Sequence, residues 1–521
     1  MYYIRYFRFL PLSALALLKY APLQTFDRVL INGYLSNLFS YRKFLYYLIQ
    51  NDIKLKDFKT FANEKTALLC SHIENYIKES HVKVQYLESG KLNKDELARR
   101  AFAQDMSKTG LIAAFSVLEL CNTMTVVSNY DTKQLEVASR SSKCKHYYLY
   151  YNDEEFGWMF FKIQTWFPYN AQIYINGREY LSRLLDKHDI RHTMYYNSFA
   201  DIENFQKAQE LADGILNKKL SSSFDGIAKK INNLLPNIEK VFHSGYYWCI
   251  DQCEFATDIN FKNRGDLGAL FKTLVETTYF TFSSQDIYSF FGRKIEKIQQ
   301  LSKAEIVSDL RRRYQGYRVK FKLNNNQIKM YDKGNNLRIE VTINNPRDFK
   351  VLKPELDKES GEVTESKKWV PMGKSIVNLY RYAEICKAMI SRYINALPDI
   401  DADKLPVKAV GRISSSVNVN GRRYSGFNIL SDDTLNLLGA LSDGAYLING
   451  FNNKLLRHKI FNGDADSKRN INKTTRLIAK LRAHKIIKKV PKKNRYYVTA
   501  TGRKIINSIL LYTNKTLLNV A

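Results

Sequence analysis

The spacing of apolar residues predicts helices in the first hundred residues and a sheet after them. Residues 44–49 repeat with a helical period, and a second helix begins after Asn93, a residue type suited to the N-cap. Asp95 and Glu96 then lie where the helix dipole favours anions. Short runs rich in Val, Ile, Tyr, Phe and Trp follow, and they predict antiparallel strands at 111–120, 124–127, 145–151, 158–166 and 172–175.

Helical and strand-like segments then follow each other without a βαβ alternation. At 176–179 the sequence Asn-Gly-Arg-Glu has the spacing of a capping box, so it predicts a helix start. A functional role for Arg178 or Glu179 is the alternative interpretation. Apolar periods at 205–215 and 224–231 predict two helices, and 246–250 is typical of a strand. The pattern predicts an α+β fold.

From residue 357 onwards, the sequence predicts an exposed loop, a long helix and a linker. The polar segment 357–368 indicates the loop, and an apolar face from Ile376 through Tyr380 to Ile394 predicts the helix. Few large apolar residues occur at 399–426, which is typical of a linker. We therefore predict a mixed helical region at 1–105, a central α+β domain at 106–397, a linker at 398–426 and a further domain at 427–521.

Three short helices and a ribbon are predicted in this last domain. Ser431 caps the first helix, residues 449–461 predict the second, and residues 467–485 predict the third. Two β-rich runs at 486–498 flank a basic turn. The cationic side chains opposite the apolar stripe of the third helix are Arg469, Lys473, Arg476 and Lys480, and those of the ribbon are Lys488, Lys489, Lys492, Lys493 and Arg495.

Residues 430–518, with "LRAHKIIKKV" and "RYYVTATGRKI", resemble the winged-helix domains of MarR-like bacterial regulators. The resemblance implies that the third helix enters the major groove of DNA, where Arg and Asn read base edges, and that the wing lysines hold phosphates. A solvated basic helix face is the alternative, and winged helices also mediate protein contacts.

Net charge strengthens the case for a polyanionic partner. The 521 residues carry a formal net charge of +30, which opposes compaction unless a polyanion offsets it. Nucleic acid is the first candidate partner, and an anionic membrane surface is the second. The chain also has 35 Tyr and 29 Phe, which suit base stacking, although an AT-rich genome would enrich the same residues.

Cysteine usage and hydropathy bear on the compartment. Six cysteines are scattered without a Cys-x-x-Cys pair, so we expect a reducing cytoplasm and no structural zinc. The nearest approach to a metal pattern is Cys144 with His146, for which ordinary strand residues are the preferred interpretation. Residues 9–18 follow Arg5 and Arg8 like a signal peptide, but no convincing cleavage site follows, so a buried helix or an overextended start is favoured. No apolar run predicts a membrane span.

Three acidic residues interrupt an aromatic run at 246–258. A helix would gather Asp251, Glu254 and Asp258 on one face, whereas a strand would keep Glu254 with Asp258 and turn Asp251 away. Clustered carboxylates in so basic a protein could hold Mg²⁺ for phosphodiester chemistry. The preferred alternative is that they pair with nearby arginines such as Arg311, Arg312 and Arg313.

A β-hairpin is predicted at 329–342, where period-two alternation flanks a Gly-Asn turn. One face is apolar, and the other is polar with Lys329, Tyr331, Lys333, Arg338 and Glu340. The segment weakly resembles rolling-circle replication initiators and relaxases. That resemblance implies Tyr331 as nucleophile, phosphate binding by the cationic residues and a metal ligand at Glu340. The His-hydrophobe-His pair of many such enzymes is absent, and a structural hairpin with cross-strand ion pairs is the alternative.

The whole chain resembles a group of uncharacterised bacterial proteins associated with mobile elements, through "FDRVLINGYL", "FKIQTWFPYNAQIYINGRE" and "RIEVTINNPR". We therefore expect a cytoplasmic DNA-processing protein of a mobile element, with metal-dependent strand cleavage, transposition or replication initiation as its activity. A noncatalytic regulator, whose central domain forms a homodimer or senses a signal, and an RNA-binding effector are the competing hypotheses.

Overall fold

The computed structural model divides the chain into two compact units. The first contains Leu23–Ala256 and Thr342–Glu384, and the second contains Thr257–Val341 and Ile385–Ala521. The structure describes residues 22–195, 197–282, 284–293, 305–313, 316–356, 363–397, 411, 413–429, 431–443, 446, 450–461, 463–491, 493–499, 501–503, 505–506 and 509–510. The signal-like run at 9–18 and the first part of the predicted linker, 398–410, lie outside these residues.

Antiparallel pairing dominates the sheet of the first unit. Its strands lie in the order β9-β1-β6-β5-β4-β3-β2, in which neighbours from β1 to β3 are antiparallel and β2 is parallel to β3. The antiparallel sheet predicted from the aromatic runs is thus confirmed, with two of those runs joined in the long strand β3. The strands are β1 (Leu23–Tyr34), β2 (Val84–Leu87), β3 (Gly110–Ser128), β4 (Leu135–Asp153), β5 (Gly157–Gln164), β6 (Ala171–Asn176) and β9 (Tyr247–Asn260).

Two smaller antiparallel pairs also belong to the first unit. They are β7 (His192–Met194) with β8 (Phe199–Ile202), and β14 (Lys350–Leu356) with β15 (Val363–Pro371). The polar segment 363–368, predicted as part of a loop, therefore lies in β15, while 357–362 falls outside the described residues.

Two helices of the first unit begin at the asparagines that the sequence indicates as capping residues. The side chain of Asn93 accepts a hydrogen bond from the Glu96 amide, and that of Asn176 accepts one from the Arg178 amide. Both predicted helix starts are confirmed. The helices are α1 (Tyr41–Gln50), α2 (Phe58–Glu79), α3 (Lys94–Phe102), α4 (Gly177–Lys187), α5 (Phe205–Gly214), α6 (Leu220–Ile231) and α7 (Leu235–Phe242).

The second unit contains a meander whose strands lie in the order β10-β11-β12-β13. Side chains on one face, such as Met330 and Ile339, are fully buried, and the Tyr393 hydroxyl donates to Met330 Sδ at 3.7 Å. Tyr380, assigned to the buried helix face, is instead 41% exposed, whereas Tyr382 is buried. The elements are α8 (Arg264–Thr281), α9 (Ser284–Phe290), β10 (Ile306–Arg313), β11 (Gly316–Leu323), β12 (Asn326–Asp332), β13 (Asn336–Ile343) and α10 (Leu379–Ala396), and β9, β13 and α10 each belong partly to both units.

The last part of the second unit has its own core. Leu438, Leu456, Ile478 and Leu481 pack in it together with Ile413 from the predicted linker. Each helix here has a side-chain N-cap, which is the local reason for its start. The elements are β16 (Val417–Val419), β17 (Arg422–Tyr424), α11 (Asp432–Leu441), α12 (Asn453–Ile460), α13 (Lys468–Ala483), β18 (Ile487–Lys489) and β19 (Tyr496–Val498).

Together these elements confirm the predicted α+β fold, with thirteen α-helices and mostly antiparallel strands in the described ranges. Within those same ranges, none of the helices combines the length and apolarity needed to cross a bilayer.

Candidate nucleic-acid interface

Positive charge is concentrated at the C-terminal end of the chain. Residues 467–521 contain 15 Lys and Arg and no Asp or Glu, so about a tenth of the sequence carries half of its net charge of +30. Five aspartates precede this segment between 431 and 466, and three of them already pair with cations. Those pairs are Asp433 with Lys473, Asp443 with Lys459 and Asp466 with Arg457. Among the described residues from 467 onwards, the observed ion pair is that of Lys473 with Asp433.

Helix α13 separates an apolar face from a cationic face. Ser467 caps it by accepting from the Asn470 amide at 3.3 Å, and a stripe at positions 474, 478 and 481 is buried. Spacing of three and four residues places Arg469, Asn472 and Arg476 together on the opposite side, where all three are exposed. Within the part of the chain that the structure describes, no acidic side chain forms an ion pair with Arg469 or Arg476.

Two cations assigned to the same face have partners within the module. Lys473 lies 3.4 Å from Asp433 and sits over the ring of Phe461. Lys480 donates to the Gly426 carbonyl at 2.9 Å, lies over a second ring, that of Phe427, and has a pKa lowered by burial. The helix face that is free to meet a ligand is therefore centred on Arg469, Asn472 and Arg476, and Asn472 is an addition to the sequence-based set.

The ribbon extends this cationic surface. Lys488 pairs in register with Tyr497, and the turn closes where the Val490 amide donates to the Arg495 carbonyl at 2.8 Å. Its exposed cations are Lys488, Lys489, Lys493 and Arg495, whereas Lys492 lies outside the described residues. We call these four residues, with Arg469, Asn472 and Arg476, the basic surface.

A third strand-like segment, not foreseen from the sequence, holds the ribbon to the helices. Phe451, between α11 and α12, exchanges two backbone hydrogen bonds of 2.8 Å with Tyr496 of β19. Gly450 adopts a φ of +61°, and a Cβ at this position would lie 2.5 Å from the Tyr496 carbonyl oxygen. Only glycine fits there, so the ribbon position depends on this residue.

The helix pair α12–α13 is fixed by polar contacts at its surface. Asn453 Nδ2 donates to Thr475 Oγ1 at 2.9 Å, and Tyr446 donates to the Leu455 carbonyl at 3.1 Å. Arg457 adds an ion pair with Asp466 in the connection between the helices. These contacts hold α13 with its cationic face outward.

The three carboxylates predicted as a cluster lie on a strand, β9, rather than on a helix. Alternation therefore turns Asp251 away from Glu254 and Asp258. Asp251 is 44% exposed and lies 3.8 Å from Lys374, and Glu254 lies 4.0 Å from Arg28. Asp258 is buried and lies 3.7 Å from Arg338, so pairing with an arginine, the alternative interpretation of these carboxylates, is observed at an arginine outside 311–313.

The predicted hairpin is present as β12 and β13, closed by a hydrogen bond of 3.0 Å from the Lys333 amide to the Asn336 carbonyl. Lys329 Nζ lies 2.8 Å from Glu340 Oε1, and Arg338 Nε lies 3.3 Å from Glu340 Oε2. Burial would raise the pKa of Glu340, but the cations Arg338 and Lys329 outweigh it and lower the pKa to about 2. The cross-strand ion pair of the structural alternative is thus observed.

This hairpin buries the polar face that was expected to meet nucleic acid. Arg338 is only 1% exposed, so its assignment as a nucleic-acid contact is corrected: it pairs with Asp258 and Glu340 inside the unit. Tyr331 and Lys333 are half-buried. Both oxygens of Glu340 already face cations, and the Mg²⁺ site predicted from Asp251, Glu254, Asp258 and Glu340 stays a prediction.

Comparison of the chain with protein-family models found no match, and neither did comparisons with curated proteins and with solved structures.

Proposed function

We propose that residues 431–510 form a winged helix-turn-helix module that binds nucleic acid, with duplex DNA as its first target. The order of elements supports this proposal: helix α11, the segment at Phe451, helices α12 and α13, and the ribbon β18–β19. The observation that carries it is the basic surface, whose cations have no ion-pair partner among the described residues and lie in a segment without acidic residues.

Helix α13 is the element that enters a groove in this proposal. Its 16 residues span about 24 Å, and a helix about 10–12 Å wide matches the major groove of B-DNA. Arg469 and Arg476 suit bidentate contacts to guanine, and Asn472 suits adenine. The ribbon cations then reach the phosphates beside the groove, which adds affinity and salt dependence but little sequence choice.

Duplex DNA is preferred over duplex RNA because the major groove of A-form RNA is too deep and narrow for a helix. Single-stranded RNA remains the rival target, and a noncatalytic regulator is compatible with the same surface. Strand cleavage in a mobile element is a further hypothesis, which needs Mg²⁺ held by the predicted carboxylates or attack by Tyr331.

Binding of the full-length protein to labelled duplex DNA, single-stranded DNA and structured RNA, each with and without Mg²⁺, tests the proposal. We expect the duplex DNA to bind tightest, and the Arg469→Ala/Arg476→Ala variant to bind it at least about tenfold more weakly, because each bidentate contact contributes about 1–3 kcal/mol. The matched control is Arg42→Ala/Arg140→Ala, which removes the same charge from two exposed sites in the first unit.

Absence of duplex binding at low salt, or equal losses in both variants, would overturn the proposal, and tighter binding of the structured RNA, through its unpaired bases, would favour the RNA target. The Mg²⁺ arm separates cleavage from binding. Cutting that disappears in Asp258→Ala, or a covalent adduct that disappears in Tyr331→Phe, would support the DNA-processing hypothesis.

A further inference from the structure

Strand pairing in the first unit brings together three side chains that are far apart in the sequence. In the β3–β4 ladder, Cys121 lies opposite Ser142, and Cys144 and His146 follow Ser142 at alternate positions. Opposite residues of an antiparallel pair share a face, and so do residues two apart on one strand. Cys121, Cys144 and His146 therefore point to the same side of the sheet.

Their donor atoms are mutually close. The two Sγ atoms lie 2.8 Å apart, Cys144 Sγ lies 3.9 Å from His146 Nδ1, and one donor atom from each of the three residues falls within 4.8 Å of the others. Both cysteines are free thiols. Cys144 and His146 are buried at 9% and 3% exposure, while Cys121 is half-buried. The group is thus accessible from the Cys121 side only.

The donor set selects a class of cation. Two sulfur atoms and an imidazole suit Zn²⁺ and other thiophilic ions, whereas Mg²⁺ and Ca²⁺ prefer oxygen ligands. Zn–S bonds of about 2.3 Å and Zn–N bonds of about 2.0–2.1 Å place tetrahedral ligand atoms about 3.5–3.8 Å apart. The observed sulfur–nitrogen distance is close to this range, and the two sulfurs need to separate by about 1 Å, a shift within reach of side-chain rotation.

The surroundings are compatible with a cation. Lys162 lies opposite Tyr148 in the β4–β5 ladder, two positions from His146, and it is neutralised by Glu119 at 2.7 Å, which also contacts Lys94 at 3.2 Å. His146 Nδ1 also lies 3.2 Å from the Cys144 carbonyl oxygen, so the neutral tautomer with its proton on Nε2 is the one that can ligate an ion through Nδ1.

We propose that Cys121, Cys144 and His146 form a binding site for one thiophilic cation, with Zn²⁺ as the physiological ion. Three protein ligands leave a fourth tetrahedral position on the exposed Cys121 side, which water or an external thiol can occupy. The site is independent of the basic surface, because it belongs to the first unit and rests on other residues. Both thiols lose their protons to solvent when they ligate the ion.

Titration of the reduced, metal-free, full-length protein with Co²⁺ tests this site, since thiolate ligation produces a sulfur-to-cobalt charge-transfer band. We expect one equivalent to develop the band and Zn²⁺ to displace it. The variants Cys121→Ser and Cys144→Ser should lose the band, and His146→Ala should weaken it. Cys70→Ser is the matched control, because Cys70 is a free, half-buried thiol in the same unit, and it should keep the full band.

Alkylation of the wild-type protein provides a second readout that needs no variant to fold. Zn²⁺ should slow the reaction of Cys121 and Cys144 with N-ethylmaleimide, measured peptide by peptide, and leave Cys70 unprotected. Absence of the cobalt band in the reduced wild type, a band that survives both serine substitutions, or a lack of protection by Zn²⁺ would each overturn the proposal. Formation of a Cys121–Cys144 disulfide in air, by a protein that binds no metal when reduced, would replace it with a redox role.

Discussion

Removal of the ribbon cations is the perturbation that bears most directly on the basic surface. The variant carries alanine at Lys488, Lys489, Lys493 and Arg495, all of which are exposed. The ribbon itself should persist, because its backbone pairing and the buried Ile487 are untouched. The change therefore removes phosphate contacts and leaves the core of the module intact.

The expected effect follows from counterion release. Each phosphate contact adds about 0.9 to the slope of log K against log salt, so four contacts add about 3.6. Between 0.05 and 0.2 M salt, a fourfold change, the wild type should lose about 150-fold more affinity than the variant. The same slope difference of about 3.6, taken over the tenfold range from 1 M down to 0.1 M salt, corresponds to binding by the variant that is up to about 4000-fold weaker at 0.1 M, if the remaining contacts are unaffected.

Fluorescence anisotropy with a duplex, repeated over this range of salt, measures both quantities. The control variant carries alanine at Lys54, Lys56, Lys59 and Lys78, which are exposed in the first unit and remove the same net charge. Equal slopes for the ribbon variant and the wild type would refute the reasoning. So would an equal decrease in the control, since the effect would then arise from total charge.

Three further predictions concern single residues. Arg476→Ala should relax the base preference that the wild type shows in selection from random duplexes, by about 1–3 kcal/mol at one position, and an unchanged preference would exclude Arg476 from base recognition. Arg338→Met should lower the free energy of unfolding in urea by about 3–5 kcal/mol, because it removes the buried guanidinium that faces the Asp258 and Glu340 carboxylates and leaves Lys329 as the cation at Glu340. Arg311→Met, at an exposed arginine, should cost at most about 1 kcal/mol, and equal losses in the two variants would contradict this account. Because the folded-state pKa of Glu340 is lowered to about 2, its contribution of about 3 kcal/mol is present above pH ~5 and is lost as the pH falls towards 2. Unfolding measured against pH should show this acid limb in the wild type and a shallower one in Glu340→Gln.

Sequence patterns predicted local structure correctly where the residues that stabilise a feature lie within the same short segment. The predicted N-cap residues Asn93, Asn176 and Ser431 each accept a hydrogen bond from a backbone amide, as their side chains and positions indicated. The hairpin at β12–β13 follows from period-two alternation around a glycine with positive φ at 334. These features depend on residues within a few positions of each other, so no knowledge of the distant chain was needed.

Side-chain partners were less predictable than side-chain faces. Period-two alternation correctly placed Arg338 and Glu340 on one face of the hairpin, but it could not show that this face is buried and neutralised from within. Likewise, the helical period placed Lys480 with Arg476, yet Lys480 reaches the Gly426 carbonyl, which is 54 residues away in the sequence. Periodicity shows which side chains point in the same direction, but it does not show which residues pack against that face.

The sequence alone therefore predicted four features: the fold class, the helix starts, the hairpin and the strong C-terminal charge. Each of them depends on local conformational preference or on simple composition. Only the tertiary structure determined which cations of α13 stay exposed and which carboxylates pair with an arginine. It also determined that Cys121 lies beside Cys144 and His146. Contacts between distant segments depend on strand register and on which segment covers a given face. Sequence spacing indicates that a face is apolar, but it does not identify the distant residues that pack against that face.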